Sequence, residues 1–126
     1  MRRIFIVCVM VALSGCVTAP TPQEIAAADY GAPPTDHKSQ IKNYFSKVLK
    51  DPESARYGEF TEPRKGYARV EGRALISPDG GAWLPTNVFG YEVTVQVNAK
   101  NSYGAYTGFE RYLFLFRNGK IVHVMP

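Results

Sequence analysis

Few residues of this 126-residue chain can do covalent chemistry, and the best placed is Cys16. It closes the tetrad Leu13-Ser14-Gly15-Cys16, behind a charge-free run of ten residues from Ile4 to Leu13. Arg2 and Arg3 head that run. Two cations followed by a short apolar stretch are the n- and h-regions of a secretory signal. Ten residues are about half of the ~20 that a membrane-spanning helix needs. Ser14 and Gly15 are small enough for a peptidase to lay their backbone into its cleft. The Cys16 thiol is a nucleophile that can form a stable thioether. The reading is a secretory signal peptide that ends at this tetrad.

The tetrad resembles the lipobox of bacterial lipoproteins. That resemblance implies diacylglycerol on the Cys16 sulfur, cleavage after Gly15, and acylation of the new amino group. Such chains hold firmly, since each buried methylene contributes about 0.8 kcal/mol and one chain alone is marginal. Val17 follows the cysteine, where an Asp tends to retain enteric lipoproteins in the inner membrane. The expected location is therefore the cell envelope, on the outer membrane and facing the periplasm. The membrane is the first expected partner, through the acylated Cys16.

Other chemistry has little to stand on. His37 and His123 are far apart, and neither has His, Cys or Glu at ligand spacing, so no metal site is expected. Cys8 leaves with the signal, so no thiol remains for a disulfide. No Gly-x-Ser-x-Gly elbow occurs, and Gly80-Gly81 lacks the Lys-Ser/Thr of a phosphate loop. Of Glu59, Glu62, Glu71, Glu92 and Glu110, most read as wet-face strand residues rather than a carboxylate pair. Arg64-Lys65 with Arg69 and Arg73 reads as a solvated basic face, and Trp83 as a residue of the core rim. No catalytic set and no cofactor beyond the covalent lipid is expected. Removing residues 1–15 leaves 111 residues, and Lys+Arg falls from 15 to 13 against 11 Asp+Glu. Net charge drops from +4 to +2, which gives no case for nucleic-acid binding.

The elements behind these residues follow from periodicity. Residues 16–35 read as a tether with Pro20, Pro22, Pro33 and Pro34. Within it Thr21-Pro22-Gln23-Glu24 fits a capping box, starting a short helix that Gly31 ends and that docks or frays. From Asp36 to Lys50, Ile41, Tyr44, Phe45, Val48 and Leu49 form one apolar helical face. Thr35 or Asp36 can cap it, and Asp51-Pro52 ends it. Strands are expected over Arg56–Phe60, Tyr67–Ser77, Val88–Asn98, Phe109–Arg117 and Ile121–Val124. Gly72 hints at a bulge, Pro78 to Gly81 is a turn, and Asn118-Gly119 is a two-residue hairpin signal. Tyr91, Val93, Val95 and Val97 alternate with polar residues, so that strand has one wet face. Phe109–Arg117 is apolar on both faces, as in a covered central strand. The class is α+β: one amphipathic helix on a four- to five-stranded, mainly antiparallel sheet, in a domain over residues 36–126.

Between the two best strands lies Asn98-Ala99-Lys100-Asn101-Ser102-Tyr103-Gly104-Ala105-Tyr106-Thr107-Gly108-Phe109. In the recognition reading, Tyr103 and Tyr106 supply contact area while Asn98, Lys100 and Asn101 supply polar contacts. In the other reading, Asn and Gly solve backbone geometry and the tyrosines pack on the sheet. This segment, with Leu49-Lys50-Asp51-Pro52-Glu53-Ser54-Ala55-Arg56-Tyr57, resembles a family of small proteobacterial exported proteins and lipoproteins. The likeness runs from about Tyr30 to the C-terminal strands; many relatives carry Gly where this chain has Ala105. It implies class and location, and no activity. The expected role is a non-enzymatic, membrane-anchored lipoprotein displaying a small periplasmic binding or accessory domain, with an envelope protein as partner. A second class is a ligand-binding or hydrolase-inhibitor lipoprotein using the Tyr-rich loop 98–109. A third is a wall-modifying enzyme.

Overall fold

The computed structural model describes residues 19–70 and 86–126. The expected signal segment, Cys16, Val17, Glu71, Gly72, Arg73, the rest of the expected strand as far as Ser77, the turn at Pro78 to Gly81 and Trp83 lie outside the described residues. Two helices, α1 (Pro22–Ala27) and α2 (His37–Val48), accompany five strands: β1 (Arg56–Phe60), β2 (Arg64–Val70), β3 (Thr86–Asn98), β4 (Glu110–Arg117) and β5 (Lys120–Met125). All described pairings are antiparallel, and the class is α+β. Among the described residues no helix is long and apolar enough to cross a membrane.

The 13-residue β3 organises the sheet. One of its edges carries β4, and β5 follows β4. The other edge carries both β1, opposite Val95 to Asn98, and β2, opposite Thr86 to Glu92. These two strands are one edge interrupted at residues 61–63. Pro63 has no N–H to give a ladder. Thr61 repairs the break: its N–H donates to the Thr94 carbonyl at 3.0 Å, and its hydroxyl accepts from the Thr94 N–H at 2.9 Å.

Register decides which side chains meet α2. Val93 faces Phe114, Val95 faces Tyr112 and Tyr91 faces Phe116, so these share one sheet face. Ile41 and Phe45 of α2 seal that face, and with Val93, Val95, Val97, Phe114 and Phe116 they are all buried. Phe45 sits edge-on to Tyr112 at 5.0 Å and Phe114 at 5.6 Å. Each buried side chain of this kind contributes roughly 1.5–3 kcal/mol. Val48 departs from the expected apolar face and is 53 % exposed, because it is the last helical residue and lines a cleft instead of the core. Asp36 is the N-cap, yet its carboxylate caps no backbone N–H; it accepts from Gln40 Nε2 at 2.6 Å.

As expected, β4 is central and buried on both sides: Phe114 and Phe116 face the helix, and Leu115 is fully buried on the opposite face. Phe109 is the exception, lying outside the strand and 55 % exposed. Asn118 and Gly119 take φ of 50° and 75°, the type I′ pattern of a two-residue hairpin.

The capping box forms as the sequence suggests: Thr21 Oγ1 accepts from the Glu24 N–H, and the Glu24 carboxylate accepts from the Thr21 N–H at 2.7 Å. The helix ends at Ala27, before Gly31. The stretch beyond it is part of the fold. Tyr30 packs edge-on against Phe89 at 5.7 Å, and Pro34 is buried. Arg117 donates to the Asp29 and Phe89 carbonyls and pairs with the Asp29 carboxylate at 3.3 Å. Asn118 Oδ1 accepts from the Ala32 N–H, and Gly119 N–H donates to the Ala32 carbonyl.

Candidate functional site

The connection from β3 to β4 is built by its asparagines. Asn101 Oδ1 accepts from the N–H groups of Tyr103 at 2.9 Å and Ala105 at 3.2 Å. Its backbone N–H donates to the Ala105 carbonyl, and its carbonyl accepts from the Gly104 N–H. This is Asx-turn chemistry, in which the short amide takes the place of a missing backbone partner. Asn98 Oδ1 accepts from the Gly108 N–H at 3.3 Å. Gly104 and Gly108 hold φ of 78° and 111°, a region hostile to other residues. Lys100 and Tyr106 form an isolated antiparallel bridge that closes the loop.

The loop is fastened to the 3₁₀ turn Pro52–Ser54 at the foot of α2. Lys100 N–H donates to Ser54 Oγ at 2.9 Å, and Ser54 Oγ donates to the Asp51 carbonyl at 2.7 Å. The Tyr106 hydroxyl donates to the Ser54 carbonyl at 2.9 Å. The Arg56 guanidinium lies 4.2 Å from the centre of the Tyr106 ring, and the Lys100 ammonium lies 5.7 Å from it. The Asp51-to-Arg56 stretch and the Asn98-to-Phe109 stretch, distant in sequence, are thus one structure.

The five loop residues singled out from sequence divide. Asn98 and Asn101 spend their side-chain carbonyls on the loop's own backbone. Tyr106 is half-buried and bonded. Lys100 is half-buried, with its ammonium over Tyr106. Tyr103 alone among the five stands out, 94 % exposed at the tip. Ser54 and Arg56 complete the site; sequence showed them only as members of the Asp51-Pro52-Glu53-Ser54-Ala55-Arg56 stretch.

Beside the loop runs a cleft of about 290 Å³, lined among others by Val48, Leu49, Lys50, Lys100, Gly108 and Glu110. Its one carboxylate, Glu110, accepts a hydrogen bond from the Tyr112 hydroxyl at 2.9 Å. Burial, then that bond to Glu110, raises the Tyr112 phenol above its usual range. Among the described residues no group of three or more His, Cys, Asp or Glu could hold a metal ion. His37 opens α2 with its Nε2 buried and unbonded among the described residues. His123 lies opposite Leu115, not beside a carboxylate in register.

No protein-family model matches the chain, and no curated protein or solved structure is significantly similar to it.

Proposed function

We propose that this protein is an envelope lipoprotein, acylated on Cys16, whose α+β domain serves as a binding or accessory subunit of a larger envelope assembly. The observation that carries the contact role is Tyr103. A large aromatic ring is held in solvent at the tip of a loop braced by two asparagines and a 3₁₀ turn. A rigid, exposed aromatic gives contact area at low entropic cost, and such residues dominate interface energetics. The anchoring role rests on the Arg2-Arg3 start, the apolar run and the Leu13-Ser14-Gly15-Cys16 tetrad. Outer-membrane placement facing the periplasm rests on Val17. The resemblance to small exported proteobacterial proteins supports the same class.

The alternative, a ligand-binding or inhibitor module gripping its target through the loop, draws on the same exposed Tyr103 and on the neighbouring cleft. The half-buried Tyr106 weighs against a purely tyrosine-based grip. Chemical crosslinking and affinity isolation from gently solubilised membranes tests the choice, comparing the native chain with Tyr103→Ala. This substitution removes a side chain with no hydrogen bond among the described residues, so the fold survives. A defined set of envelope proteins, depleted in the variant, supports the assembly role. The same set undiminished returns the loop to a structural role, and no protein in either sample overturns the assembly reading.

A further inference from the structure

The loop end of the sheet carries cations that meet no carboxylate partner among the described residues. Arg56 and Lys100 lie against the Tyr106 ring. Among the described residues their head groups make no ion pair or hydrogen bond. Register sets Arg56 opposite Asn98 and Arg111 opposite Gln96, so both arginines lie on the sheet face turned away from α2. Arg56, Gln96 and Arg111 are exposed. Glu110, next to Arg111, is opposite Val97 on the helix side and accepts the Tyr112 hydroxyl there. The one ion pair among the described residues, Arg117 to Asp29, is at the other end of β4.

The geometry points to an acidic segment of a protein partner as the occupant of this surface, its carboxylates on Arg56, Lys100 and Arg111 and its apolar side on Tyr103. The inference rests on the envelope-subunit reading for its setting and supplies the chemistry of the partner. Guanidinium forks match carboxylates bidentately, and the Arg56 guanidinium sits 4.2 Å from the Tyr106 ring centre. A lipid headgroup offers similar anionic chemistry, but the N-terminal segment favours a protein. Asp29 and Ala32 are fastened at Arg117 and Asn118, at the end of β4 opposite the loop. That strand separates the two ends by roughly 25 Å at ~3.3 Å per residue. Asp29, where the N-terminal segment is fastened, is therefore at the end of the sheet remote from the loop.

The test uses the full lipoprotein in detergent and a fluorescent Glu-rich peptide, with a Lys-rich peptide of equal length and phosphatidylglycerol vesicles alongside. Fluorescence anisotropy should show binding of the Glu-rich peptide alone, weakening as salt is added. The Arg56→Ala/Lys100→Ala variant should bind it about tenfold more weakly, as should Arg111→Ala combined with Tyr103→Ala. The second pair leaves the Tyr106 packing untouched and guards against a folding defect in the first. Absence of peptide binding, equal affinity in both variants, or vesicle binding lost in those variants would overturn the inference. Unacylated native chain that still binds the peptide would remove the anchor while leaving this surface standing. Acylated chain blind to the peptide would do the reverse.

Discussion

The Tyr106 hydroxyl donates to the Ser54 carbonyl across 52 residues of chain, and this bond joins the β3–β4 loop to the foot of α2. Ser54 also receives the Lys100 N–H on its hydroxyl. Tyr106→Phe keeps the ring beneath Arg56 and removes one hydrogen bond, for an expected loss of about 1 kcal/mol in chemical denaturation. Ser54→Ala strands the Lys100 N–H in a half-buried place and should cost about 1–3 kcal/mol. Amide exchange at Lys100 should quicken in Ser54→Ala and much less in Tyr106→Phe.

Two glycines separate steric from conformational cost. A Cβ at Gly90 would stand 2.1 Å from the Phe116 carbonyl oxygen, which is backbone of the central strand. Gly90→Ala should cost about 3 kcal/mol or more, since strand β4 must shift. Gly104 has open space around it and only its φ of 78° to restrict it. Gly104→Ala should cost about 1–2 kcal/mol, the cost of a left-handed residue with a side chain. Thermal unfolding of the two variants orders them.

The N-terminal segment has its own catch. At Gly31, φ is 70° and a Cβ would come 2.4 Å from Asn118 Oδ1. Gly31→Ala should therefore release residues 29–32. Asn118→Gly keeps the positive φ of the hairpin and removes only the bond to Ala32. It should lower local stability by about 1 kcal/mol, read as faster amide exchange at Ala32 with global unfolding little changed.

Alkaline pH should weaken the fold through Tyr112 and Tyr57. Burial raises both phenols, and Glu110 adds to the rise at Tyr112. A group whose folded value exceeds its unfolded value stabilises below the unfolded value. That contribution is lost as pH climbs through the folded value, so the loss begins above pH about 10. Glu110→Gln should bring Tyr112 only part of the way back, since burial is the larger cause. Ultraviolet titration of tyrosine in native and variant protein measures this.

Much of the scaffold was legible because it is local. The alternation Tyr91, Val93, Val95, Val97 named the core face of β3, Asn118-Gly119 named the turn, and Thr21 to Glu24 named the cap. What needed the third dimension was hidden. Nothing in residues 16–35 announces that Tyr30 packs on Phe89 or that Arg117 reaches Asp29. The joining of β1 and β2 along one edge depends on the Thr61 hydroxyl standing in for a ladder bond. Periodicity put Val48 on the apolar face, and the helix end put it in the cleft. In the loop, residue type marked Asn98, Lys100, Asn101, Tyr103 and Tyr106 together. Only direction separates Asn101, turned onto its own backbone, from Tyr103, turned to solvent.

The anchor itself is tested most directly by feeding cells a labelled palmitate analogue and following the protein through membrane fractionation, beside Cys16→Ser. The expected result is a labelled, processed, membrane-bound native chain and an unlabelled variant, unprocessed or released. A Cys16→Ser protein still processed, still labelled and firmly membrane-bound would contradict acylation at Cys16.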